Sequence, residues 1–248
     1  MINPTLFRIP LFCFFCLAFL VSTSLSVPAT ESANAHENIN ELIKIAESGD
    51  GKAQTALGII YKKGKMGEKN YSKALFWLKQ AASQHNPEAM FQLGEMYEKA
   101  LGTPRNYVRA LYFFLQSAAR GSALAQYKAG LFYLYGWGTS RDYAEAARLF
   151  ELAANQNLGR AQYAMAMLYE NGLGVTRDYV TANEWLEKAV QQGVPEAAMS
   201  LACNYLYGRG VPESIELARD FFEAACRQGF QKACDAVYQI DNGEKPVF

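Results

Sequence analysis

Small and apolar side chains return along this chain at a fixed interval of 36 residues. Alanine stands at 53, 89, 125, 161, 197 and 233. Four residues on come Leu57, Leu93, Ala129, Met165 and Leu201, and eight on come Tyr61, Tyr97, Tyr133, Tyr169 and Tyr205. Steps of four and eight place these on one stripe of an α-helix, the stripe that must be buried. Between them lie Gly58, Gly94, Gly130, Ala166 and Ala202. A glycine inside a helix costs up to about 1 kcal/mol, so its recurrence predicts a second helix passing close by.

That second helix has its own stripe. Tyr71, Tyr107, Tyr143, Tyr179 and Ile215 open it, and Ala74, Ala110, Ala146, Ala182 and Ala218 follow. Leu78, Phe114, Phe150, Leu186 and Phe222 come four residues later again. Glycine pairs such as Gly136 and Gly138, or Gly172 and Gly174, separate the two helices and permit a turn that other residues resist. Asn70, Asn106, Asp142, Asp178 and Ser214 stand just before the second helix and are strong N-caps. Glu145, three residues after Asp142, has the spacing of a capping box. Gly49, His85, Gly121, Asn157, Gly193 and Gly229 close the second helix; these residue types suit a left-handed C-cap.

The predicted unit is thus first helix, loop, second helix, tight turn. One such pair leaves an apolar face uncovered, and stacking covers it. The expected organisation is five repeats, 53–88, 89–124, 125–160, 161–196 and 197–232, with a capping helix in 36–52, another in 233–241, and a tail at 242–248.

Residues 1–35 fall outside the period. Arg8 is the only charge ahead of an apolar run from Ile9 to Val21, and Ala33-Asn34-Ala35 offers small residues to a signal peptidase. The run is shorter than the roughly 20 residues of a spanning helix. The expectation is a signal peptide cut after Ala35, no stable membrane insertion afterwards, and a periplasmic or secreted chain; the alternative is an uncleaved N-terminal anchor.

Twenty-four basic and 24 acidic side chains leave no net charge, which speaks against a nucleic-acid partner. Two histidines and the lack of His-Glu-x-x-His or Cys-x-x-Cys leave no basis for a metal or cofactor, and no catalytic residue is assigned. Cys226 and Cys234 lie on either side of Gly229, in helices expected to run antiparallel. That puts them within reach of a disulfide or leaves two buried thiols. Cys203 has no partner in this reading.

The string Ala-x-Tyr-x-Leu/Ala-Gly-x-x-Tyr, then Gly-x-Gly and Arg-Asp-Tyr-x-x-Ala, resembles the Sel1-like repeat, a relative of the tetratricopeptide repeat with a longer inner loop. The resemblance covers residues 53–232. It implies an all-α, right-handed superhelical solenoid that acts as an adaptor for other proteins, in bacteria often in envelope assembly, signalling or host contact. It also implies a Cys226–Cys234 bridge, as in the cysteine-rich secreted branch. Some of those relatives have been discussed as binding or cleaving β-lactams, which is the enzymatic alternative; this chain has no Ser-x-x-Lys motif for it. Three departures put the inner loop's shape at issue: Gly67 falls one position late, Ala100 replaces a glycine, and Ser214-Ile215 replaces Asp-Tyr.

In such arrays the first helix lines the concave side. Its outward positions carry Tyr127, Leu131 and Leu134 in repeat three, then Tyr163, Met167 and Glu170 in repeat four. Repeat five has Met199, Cys203 and Leu206 there. Repeats one and two are more polar there, with Thr55, Ile59 and Lys62, then Phe91, Glu95 and Glu98, so the expectation is an apolar groove with an acidic rim, fit for an extended peptide or a partner helix. Tyr127 and Tyr163 have a second reading, as repeat residues packed between neighbouring first helices.

Overall fold

The computed structural model describes residues 29–65 and 67–247, and among them are twelve helices and no strand. Two units divide the chain, residues 1–40 and residues 41–248. Within the first, the described residues belong to the start of α1 (Ala29–Glu47). The apolar run from Ile9 to Val21 lies outside the described residues, and the expected cut after Ala35 falls within α1.

The second unit is an all-α repeat solenoid. Its first helices are α2 (Gly51–Lys63), α4 (Pro87–Glu98), α6 (Ala123–Tyr135), α8 (Gly159–Asn171) and α10 (Pro195–Tyr207). Its second helices are α3 (Tyr71–Ser83), α5 (Tyr107–Ala118), α7 (Tyr143–Ala154), α9 (Tyr179–Gln191) and α11 (Ile215–Arg227). A last helix, α12 (Gln231–Asp241), covers the end. Each first helix begins two residues ahead of its leading alanine.

The leading alanines and the residues four on are buried throughout, and the largest fully buried side chains include Phe114, Phe150 and Phe222 of the second helices. The small residues of the first helices make room for them. A β-carbon at Gly94 would stand 2.6 Å from the Phe114 ring, one at Gly130 2.6 Å from the Phe150 ring, and one at Gly58 2.5 Å from Leu78.

The inner loops close alike in all five repeats. The N–H of Asn70, Asn106, Asp142, Asp178 and Ser214 donates to the carbonyl of the tyrosine nine residues earlier, at 2.9–3.0 Å. Their side chains cap the second helix, four through the third N–H and Asp178 through that of Val180. The capping box expected at Asp142 is not formed. Glu145 turns away to pair with Arg148 at 2.6 Å, and the Asp142 N–H is already taken by Tyr133.

The sequence departures leave the closing bond in place. Ala100 adopts φ 56°, in the left-handed region where the other repeats place glycine. Gly138 and Gly210 sit against the backbone of Tyr107 and Tyr179, and Gly102 against Tyr71, the residues that open the preceding repeat's second helix. Gly67 of the first repeat has no such neighbour, and Ile215 of the last is 47% exposed with no later loop above it. Two of the three departures, at Gly67 and Ile215, thus fall where this contact is absent.

Beyond α11, Cys226 and Cys234 form a disulfide with a Cα–Cα distance of 4.8 Å, tying α12 to the array. Short loops gain about 2.5 kcal/mol from such closure in the chain-entropy model.

Candidate functional site

The first-helix face changes character along the array. Between repeats one and two Lys62 pairs with Glu95 at 2.7 Å, and between two and three Lys128 pairs with Glu98 at 3.0 Å. Lys99 adds a second bond to Glu95. Burial works against the Glu95 carboxylate, but the hydrogen bonds from Lys62 and Lys99 outweigh it and hold the group below its usual range. These ion pairs lace neighbouring first helices together and use up the carboxylates expected to form an acidic rim.

Between repeats three and four no such pair is formed. Instead α6 and α8 flank a cleft of about 520 Å³. Tyr127, Leu131, Leu134, Tyr163 and Met167 all line it, so the structure brings together five of the nine outward residues that the sequence singled out. Tyr127 lines the cleft, and its ring also lies 5.7 Å from that of Phe150 in the second helix α7 of the same repeat. Burial pushes the phenols of Tyr127 and Tyr163 up from their ordinary values, so both remain neutral donors. Tyr127, Arg160 and Tyr163 also border a second hollow of about 790 Å³ that extends the surface toward the start of α10.

The other four lie elsewhere, Cys203 among the side chains packed against the cluster that joins the last repeat to α12. Leu206 is fully buried with Ala233 and Ala236 of α12, which covers the last repeat, so it does not line a groove. Met199 packs in that same cluster. Glu170 turns to the junction of repeats four and five, where Asn204 donates to it at 2.7 Å. Asn204 also donates to Asn183 at 2.7 Å, and Asn183 donates to the Arg209 carbonyl at 2.8 Å. Burial pushes the Glu170 carboxyl up, against the Asn204 bond.

The rim is basic, not acidic. Arg141 and Arg160 are exposed at the cleft, and Arg141 donates to the Tyr143 hydroxyl at 3.1 Å. The outward-face count from the leading alanines passed over both, because Arg141 belongs to a loop and Arg160 to the first turn of α8. Beside them an aromatic stack runs from Tyr107 to Trp137 and on to Tyr135, with ring centroids 5.9 and 4.9 Å apart.

This arrangement offers apolar and aromatic surface with two guanidinium groups at its rim. Among the described residues no group of three His, Cys, Asp or Glu side chains comes together to hold a metal. The free thiol, Cys203, is pushed up by burial to about 11, so it stays protonated at neutral pH and is a poor nucleophile.

The Sel1 repeat family model matches five times, at residues 51–86, 87–122, 123–158, 159–194 and 195–230. Among solved structures, a Sel1 repeat protein from Oxalobacter formigenes aligns at 27% identity over 88% of each chain, with a TM-score of 0.78. The protein c5321, described as a protective antigen present in uropathogenic Escherichia coli strains and displaying an SLR fold, aligns at 30% identity and a TM-score of 0.65. That alignment covers 83% of this chain but only 52% of c5321, so the chain spans about half the length of that relative. No curated protein matches.

Proposed function

We propose that this chain, which belongs to the Sel1 repeat family, is an exported scaffold that docks other proteins in the cleft between α6 and α8. Sel1 repeat proteins are in general non-enzymatic platforms for protein partners. The observation that carries the specific reading is the break in the ion-pair lacing. Lys62–Glu95 and Lys128–Glu98 close the face of repeats one to three, while Leu131, Leu134 and Met167 remain half-buried around an open cleft. Such an apolar recess beside tyrosines is where a partner gains most from leaving water.

Export is supported by the Cys226–Cys234 disulfide, which persists outside the reducing cytosol, and by the leader-like residues 1–35. The likeness to a protective antigen sits with such a location. A periplasmic or secreted scaffold in envelope assembly, signalling or host contact is the role this combination fits.

Crosslinking with mapped sites tests the docking face. Partner crosslinks are expected on α6 and α8, and a Leu131→Glu, Leu134→Glu double variant is expected to lose them. Retention of the same partners by that variant defeats the reading. Fractionation of expressing cells tests the location: recovery of the disulfide-bonded chain in the cytosol defeats export.

A further inference from the structure

The chain already seats one extended segment on a first helix, namely its own tail. Residues 244–247 follow α12 without regular structure and lie against the end of α10. The Tyr207 hydroxyl donates to the Pro246 carbonyl at 2.9 Å. Lys245 pairs with Glu213 at 2.7 Å and sits over the Tyr207 ring at 5.4 Å, and Pro246 is buried.

Two repeats earlier, Tyr135 and Arg141 hold the places of Tyr207 and Glu213. The backbone presenting them is the same. Gly136 and Gly208 have φ 72° and 64°, Gly138 and Gly210 have φ 70° and 67°. The closing bonds from Asp142 to Tyr133 and from Ser214 to Tyr205 measure 3.0 and 2.9 Å. No tail covers this copy, and Tyr135 is 52% exposed. What differs is the sign of the charge, arginine where repeat five has glutamate.

The surroundings agree with that reversal. Both Arg141 and Arg160 border the cleft, and none of its lining side chains is acidic. The nearby Arg148 already has Glu145, whereas among the described residues the Arg141 guanidinium hydrogen-bonds the Tyr143 phenol alone.

We infer that the cleft receives an extended peptide segment of a partner protein carrying an aspartate or glutamate beside apolar side chains. The carboxylate meets Arg141, a backbone carbonyl accepts from the Tyr135 hydroxyl as Pro246 does from Tyr207, and the apolar side chains lie over Leu131, Met167 and Leu173. Arg160 supplies a second contact for a further acid. A second copy's tail is the wrong occupant, because it would bring Lys245 against Arg141. This inference rests on the docking role proposed above and adds the chemistry of the partner.

Selection of a random displayed 12-residue peptide library against the purified chain tests it. Enriched peptides are expected to combine Asp or Glu with a neighbouring aromatic or aliphatic residue. Labelled synthetic copies are expected to lose at least tenfold in affinity, by fluorescence anisotropy, on Arg141→Glu with Arg160→Glu, and to weaken as salt rises. Both arginines are exposed, so an unchanged melting midpoint will show that the variant is folded; Lys52→Glu, exposed on α2 and outside the cleft lining, is the control and should bind normally. Absence of enriched peptides, enrichment without acids, or tenfold loss failing to appear overturns the inference. Peptides that depend on Leu131 but not on the arginines overturn the charge chemistry alone and leave the docking cleft standing; peptides indifferent to both remove the two readings together.

Discussion

A β-carbon on Gly138 would stand 2.5 Å from the carbonyl carbon of Tyr107, a residue of the preceding repeat. Gly138→Ala therefore meets two penalties, a left-handed backbone at φ 70° and a collision with main chain that has no rotamer to escape into. A loss of about 3 kcal/mol is expected by urea denaturation. Gly67→Ala, at φ 111° but with nothing nearby, should cost about 1 kcal/mol. Equal losses at the two positions would show that the inter-repeat contact is not what requires the glycine.

Ala100 pays the left-handed penalty in the wild-type chain, at φ 56°. Ala100→Gly relieves about 1–2 kcal/mol in the folded state and gives back about 0.4–1 kcal/mol through the freer unfolded chain. A net gain of about 0.5–1 kcal/mol is expected, readable as a rise of roughly 2 °C in the melting midpoint. A drop in the midpoint refutes the strain.

Asn204 holds Glu170 and Asn183 with one amide nitrogen. Asn204→Leu should cost about 1–3 kcal/mol, because it leaves the buried Asn183 side-chain oxygen without its donor. Adding Asn183→Ala, the residue repeat three has at that position, should recover much of the loss. Additive losses in the double-mutant cycle would mean that the two asparagines act separately.

The thiols give a pH-dependent check. Burial raises Cys203, so the unfolded chain releases its proton first as alkali is added. The stability tied to this group is fully present below the ordinary thiol value and is lost as pH climbs to about 11. Iodoacetamide should label Cys203 slowly at pH 8 in the folded chain and rapidly after denaturation. In a chain processed after residue 35 and denatured without reductant, one thiol should react; three would rule out the bridge.

Much of the fold was legible because one register is repeated. The leading alanine of each first helix, the residue four on and the cap before each second helix follow from 36-residue spacing alone, and the structure places them as that spacing requires, whereas of the tyrosines eight on only Tyr97 is buried and Tyr61, Tyr133, Tyr169 and Tyr205 are half-buried. The errors share a physical origin, since a position's outward count does not say what lies across from it. Leu206 counts as outward, yet α12 covers it. Glu95 and Glu98 count as a rim, yet lysines one repeat away neutralise them. Asn204 was overlooked because only the stripe and its opposite face were compared. Its aligned positions are Ile60, Met96, Phe132 and Leu168, and that contrast alone would have marked it.

The seating of each inner loop on the tyrosine behind it makes the repeats unequal as building blocks. Repeats two to four offer both a glycine that fits beneath a neighbour and a tyrosine that accepts one, so they are the interchangeable ones. A rearranged gene that moved the fifth repeat inward would set a loop on Ile215, and one that moved the first would present Gly67 out of step. Module order is thus inscribed in the connectors, since repeats two to four alone among the described repeats present both halves of the contact.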